Sequence, residues 1–138
     1  MITALDSNVL VSLWDADNAL NMEAQRRLDE AHNFGELVIS APVFAELVGF
    51  PAREADFVDR FLDDSGIVVE WNLDEAIWRF AAEAFRNYAR RRKGREGVRR
   101  ILTDFVIGAH AQERGYRLLT FDKSLYATAF PRLELVKV

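Results

Sequence analysis

Short apolar runs alternate along this chain with longer stretches whose apolar residues recur at helical spacing, and that alternation restricts the fold more than any other feature. Ile2–Leu5, Leu37–Ile39, Ile67–Val69 and Leu118–Leu119 are short, largely apolar runs. They read as strands of a mainly parallel sheet flanked by helices. Between them, Leu20, Ala24, Leu28 and Ala31 mark one helix, with Asp17 expected as its N-cap and Gly35 as its stop. Ser40 and Pro42 open a second helix, and Phe57, Val58, Phe61 and Leu62 form the inner face of a third. Asn72 and Glu75 resemble a capping box for a fourth, carrying Ile77, Phe80, Ala81, Ala84 and Tyr88. Leu102, Phe105, Val106 and Ala109 define a fifth, Lys123–Thr128 a short last helix, and Leu133–Val136 a final edge strand. The expectation is an α/β protein: a three-layer α/β/α sandwich around a mainly parallel sheet of four to five strands, in one domain spanning residues 1–138.

With 138 residues, half of them hydrophobic, the chain can bury a sizeable core. No run of about 18 apolar residues offers a membrane span. The N-terminus lacks the pattern of a secretory signal, and there is no cysteine, so a cytoplasmic protein without disulfides or thiolate metal sites is expected.

Against this apolar frame, four acids stand where a charge is costly. Asp6 closes the first strand and Asp122 follows the fourth, while Glu46 and Asp104 lie on apolar helical stripes. In open α/β sheets, sites form beyond the carboxyl ends of the strands, so all four can reach one cleft. Two like charges about 4 Å apart repel by roughly 4 kcal/mol at an effective dielectric near 20. Converging carboxylates therefore call for a divalent cation, and all-oxygen ligands point to Mg²⁺ or Mn²⁺. Each acid also has an ordinary structural reading: Asp6 and Asp122 as helix N-caps, Asp104 as a complement to a helix dipole. Glu46, on an apolar stripe, is the hardest to explain that way.

The net charge of −4 conceals an asymmetry. From Arg90 to Arg100, six Arg and one Lys face only Glu96, a local balance of +6 that leaves −10 for the rest. Arg90, Arg91, Arg92, Lys93, Arg95, Arg99 and Arg100 read as a surface for phosphates, or as a solvated helix end. His32 reads as solvent-facing. His110 is separated from Asp104 by more than a turn, so neither histidine is expected as a ligand. Trp14, Trp71 and Trp78 are expected in the core or on a partner-facing surface rather than as base-stacking platforms.

The four acids also have characteristic surroundings: Leu5-Asp6-Ser7-Asn8-Val9-Leu10, Ala45-Glu46-Leu47, Leu102-Thr103-Asp104-Phe105 through Ala111, and Leu119-Thr120-Phe121-Asp122. In this order they resemble the PIN-domain family, and within it the VapC-type toxin nucleases of toxin–antitoxin pairs. The likeness runs essentially end to end; each motif alone is weak and the ordered set is specific. It implies a metal-dependent endoribonuclease in which Asp6 and Asp104 ligate Mg²⁺ (or Mn²⁺), Glu46 and Asp122 complete the acidic centre, and Asn8 and Thr120 orient the acids. It further implies an RNA substrate, a cognate antitoxin and a homodimer, with the basic segment serving RNA or an acidic antitoxin stretch. Two other classes stay open beside it. One is a non-catalytic binding module on the same fold, against which the four intact acids speak. The other is a phosphorylatable receiver-type domain, which expects paired acids after the first strand where this chain has Ser7 and Asn8.

Overall fold

The computed structural model describes residues 1–49, 54–91 and 102–137. The chain begins with β1 (Ile2–Leu5), α1 (Ser7–Trp14) and α2 (Asn21–Phe34), then β2 (Glu36–Ser40), α3 (Ala41–Gly49) and α4 (Ala55–Asp64). It continues through β3 (Ile67–Glu70), α5 (Glu75–Arg91), α6 (Leu102–Glu113), β4 (Arg117–Leu119) and α7 (Lys123–Ala129). The strands pair in the order β3-β2-β1-β4, every pair parallel. Thr3 is opposite both Leu37 and Arg117, and Leu37 is opposite Ile67. Helices cover the sheet as the outer layers of an α/β/α sandwich. β1 lies inside the sheet, so Thr3, Ala4 and Leu5 are all buried, which is why the run shows no alternation.

The path leaves β1 toward β2 on one side and returns from β3 to β4 on the other. The carboxyl end of β1 is thus the point where strand order reverses, the usual place for a ligand crevice in such sheets. Asp6 sits there.

α6 is the central helix of the core. Seven successive residues, Phe105–Ala111, are buried, as expected of a helix packed on all sides. Phe105 meets Phe85, Tyr88 and Phe130 with ring centroids 5.1, 5.3 and 6.3 Å apart. Gly108 permits this closeness: a Cβ there would fall 2.3 Å from the Phe130 ring. Gly115, at φ 71°, then turns the chain into β4 in a conformation side chains resist.

Three sequence expectations change. α2 starts at Asn21, with no side-chain cap, rather than from Asp17. The Asn18 carboxamide holds the Leu20 amide at 2.7 Å, and the Asn21 side chain ties to the Ser12 and Leu13 carbonyls, so the turn runs on past Asp17. α5 is capped by Asp74, which accepts the Ile77 amide at 3.2 Å, while the Asn72 carbonyl is held by Arg114. The edge strand at Leu133–Val136 shrinks to one parallel bridge, Leu135 to Leu118. The Leu133 amide is spent on Phe130 in a turn, so pairing begins only at Glu134.

Candidate active site

The acid centre grows from two strand ends and two helices. Asp6 is the N-cap of α1, its Oδ1 accepting the Ser7 amide at 2.8 Å. The structural reading of Asp6 therefore holds, but it uses only one oxygen. Oδ2 accepts the Thr120 hydroxyl at 2.8 Å. Thr120, just beyond β4, also accepts the Asp122 amide at 3.0 Å and the Asn8 side-chain amide at 3.4 Å. Asn8 in turn accepts the Phe121 amide at 3.2 Å. Asn8 and Thr120 thus cross-link the ends of β1 and β4 and fix the orientation of Asp6. Asp122 occupies the N-cap position of α7 without a capping bond from its side chain, so the capping role foreseen for it is not the one it plays.

Glu46, on α3, is brought to this crevice by Ser7, whose hydroxyl donates to Oε1 at 3.0 Å. This contact was not legible in the sequence, where Ser7 had no partner nearby; the Asp-Ser-Asn turn before α1 was the available signal. Asp104 enters from the first turn of α6. Tyr126 of α7 is buried at 1 % exposure, with its hydroxyl beside Asp6. Burial, then the charges of Asp6, Asp104 and Asp122, push that hydroxyl far above the usual range of a phenol. One side chain thus lies within electrostatic reach of three of the four acids, a position the sequence gave no reason to expect.

Burial and neighbouring carboxylates set the electrostatics of Asp6 and Glu46. Burial pushes the Asp6 carboxyl up from its ordinary value, against the hydrogen bond from Thr120, and the nearby Asp122 carboxylate adds to the rise. Glu46 is also raised, by burial first and by Asp6 second, with the Ser7 hydroxyl opposing. Among the described residues, no Lys, Arg or His pairs with either acid. Also among the described residues, no three His, Asp or Glu side chains stand close enough to surround one ion in this arrangement. The donor set is all oxygen, and it suits a hard divalent cation that keeps part of its water shell, since Mg²⁺ is commonly held by one or two carboxylates.

The remaining candidates fall elsewhere. Arg90 and Arg91 are exposed in the last turn of α5; Arg92, Lys93, Arg95, Arg99 and Arg100 lie outside the described residues. His32 is exposed. His110 is buried beside Glu70, 2.8 Å from Oε1, in a cluster completed by Arg114 and Tyr116. Trp14 packs edge-on against Phe57 and Phe61, whereas Trp71 and Trp78 are 58 % and 47 % exposed.

A family model described as PIN domain matches residues 3–131. Comparison with curated proteins finds no match. Among solved structures, the chain is similar to VapBC2 from Rickettsia felis bound to a promoter DNA fragment, with a TM-score of 0.70 and 20% identity, covering 99% of this chain and 98% of that one. It is similar to a toxin–antitoxin complex from Klebsiella pneumoniae, with a TM-score of 0.69 and 19% identity over 98% and 96% of the chains. VapC20 from Mycobacterium tuberculosis, described as a sarcin–ricin loop cleaving toxin, aligns with a TM-score of 0.63 and 17% identity over 91% and 94%.

Proposed function

The chain belongs to the PIN-domain family, and from that premise we propose that it is a metal-dependent endoribonuclease, the toxin of a VapC-type toxin–antitoxin pair. The observation that carries the reading is Asp6: a buried carboxylate at the sheet's switch point, joined by Glu46 and Asp122 and given no cation by the described residues. The toxins among the similar folds support the biological role, and those bound to antitoxins support a protein partner.

In this reading Asp6 and Asp104 would hold Mg²⁺ or Mn²⁺, which when bound supplies an activated water and neutralises charge on the phosphoryl group. Thr120 and Asn8 keep Asp6 in one orientation, as groups behind a ligand commonly do. Glu46, tethered by Ser7, and Asp122, whose amide is held by Thr120, orient water at the rim. In-line attack on an RNA phosphodiester would leave 5′-phosphate and 3′-hydroxyl ends. Arg90, Arg91 and the basic residues beyond them would guide the RNA backbone or an acidic antitoxin segment, and a homodimer would pair two such centres. No transmembrane helix interferes: among the described residues none is long and apolar enough to cross a membrane.

The test is cleavage of RNA by purified protein with Mg²⁺, with Mn²⁺ and with chelator. Asp6→Asn and Asp104→Asn should bring activity to background while circular dichroism stays native. Ser7→Ala should keep most of the activity, because the nucleophile is water; loss of all cleavage in Ser7→Ala with retained cleavage in Asp104→Asn would replace the metal mechanism by a serine one.

A further inference from the structure

We propose that Trp78 and Trp71 form a stacking cleft for an unpaired RNA base of a nucleotide neighbouring the scissile phosphate. Trp71 follows β3 on the same sheet edge as Asp6, and Trp78 lies in the first turn of α5. Between them runs a cleft of about 560 Å³ whose floor is Pro42 and Ala45 of α3 and whose far wall is Arg114. Pro42, Ala45 and Trp78 also border an adjoining cleft of about 430 Å³ that reaches Glu46 and Thr103. The two together lead from the acid centre to the indoles. Each falls within the roughly 300–1,000 Å³ typical of ligand sites.

The platform is held in place before any ligand arrives. Phe44 packs edge-on against Trp71 with centroids 4.9 Å apart. Arg114 grips the Asn72 carbonyl at 2.5 Å while anchored on Glu70, and Asp74 caps α5 just ahead of Trp78. Two large indoles, 58 % and 47 % exposed, line the same cleft and leave aromatic surface there for a ligand. The chemistry of the occupant follows from continuity and from the walls. A phosphodiester placed at Glu46 sets its neighbouring nucleotide over Ala45, where the two indoles line the cleft together with Asn72, Thr103 and Arg114. Single-stranded RNA is recognised largely by stacking of splayed bases on aromatic side chains. Glu46 as the position of the phosphate rests on the nuclease reading; the indole platform does not.

The experiment uses a single-stranded RNA nonamer containing 2-aminopurine, with the full chain in an Asp104→Asn background to prevent turnover. Binding should quench the 2-aminopurine; Trp78→Ala should abolish the quench and weaken binding about tenfold, and Trp71→Ala should weaken it about threefold. Trp78→Phe should restore most of the affinity, since a phenyl ring still stacks. The slope of affinity against salt should not change, because no phosphate contact is lost. In the active chain, Trp78→Ala should raise KM about tenfold with kcat within twofold. Unchanged affinity in Trp78→Ala, equal binding of an abasic nonamer, or a change in mass by light scattering without a change in RNA affinity would overturn the proposal, the last by making this a protein interface. Trp78-dependent quenching in a chain that cleaves no RNA would uphold the stacking site and remove the nuclease reading. Normal cleavage with an indifferent Trp78→Ala would do the reverse.

Discussion

α6 carries a carboxylate-centred cluster near each end, and the two are built on opposite principles. At its C-terminal end, Glu70 receives Arg114 and His110 on one oxygen and the Tyr116 hydroxyl on the other, all at 2.8 Å. Although burial alone would raise it, these hydrogen bonds carry the Glu70 carboxyl below its usual range. At the N-terminal end, Asp6 faces the Thr120 and Tyr126 hydroxyls and the Ser7 amide but, among the described residues, no cationic side chain, and both Asp6 and Glu46 are pushed up. The same residue types thus report two purposes. A carboxylate satisfied by its own chain ties elements together, here β3 to α6 and β4. A buried carboxylate that the described residues leave without a counter-charge, in a crevice, has the electrostatics of a functional site.

The largest effect that would break this contrast concerns cation binding. Mg²⁺ at a hundred times its dissociation constant should stabilise the wild type by about 2.7 kcal/mol against chelator, read as a rise in Tm, and the rise should vanish in Asp6→Asn. In chelator, Asp6→Asn should itself melt no lower than wild type, because it removes a buried charge. At the other cluster, Glu70→Ala should cost about 2 kcal/mol of stability by chemical denaturation. That is less than the several kcal/mol of a fully buried pair, because a fifth of the Glu70 side chain meets water. Its kcat, measured well below Tm, should stay near wild type. Thr120→Val separates the two roles within the acid centre: cation affinity should fall about tenfold, or about 1.4 kcal/mol, with little change in secondary structure by circular dichroism.

The smallest effect is in pH. Burial lowers the His110 pKa despite Glu70, so the folded state prefers neutral imidazole and the stabilisation present above 6.5 fades as pH falls below it. The lowered Glu70 adds stability above its ordinary 4.5 that is lost as pH falls through the folded value. On acidification these two groups should each lower Tm, His110 first and Glu70 at lower pH, while the raised Asp6 and Glu46 work in the opposite direction. Glu70→Gln should make the low-pH loss of Tm shallower than in wild type; a profile of identical shape would show that Glu70 is not among the groups titrating.

The strands and most helices could be read from the sequence because their signals are local: apolar runs, helical spacing, and the glycines at 35, 66 and 115. The gathering of Asp6 and Asp122 could be anticipated because a parallel sheet sends every strand's carboxyl end to one edge, a consequence of topology rather than of side-chain detail. What escaped is long-range or decided by competition between near-equal partners. The Glu70, His110, Arg114 and Tyr116 cluster joins residues about 40 positions apart, and nothing local distinguishes Glu70 from a solvated acid. Asp17 lost to the Asn18 turn, and Asn72 to Asp74, because several short polar side chains stood within one turn of each helix start. The Ser7 tether on Glu46 spans 39 residues. Trp71 and Trp78 could not be assigned to surface or core by type, since tryptophan serves both.

The burial of seven successive residues in α6 has a further consequence. Backbone amides there reach bulk water only when the whole molecule opens, so they should be the last to exchange for deuterium. Asp104 stands one residue before this stretch, so its carboxylate is anchored next to the part of the molecule slowest to open.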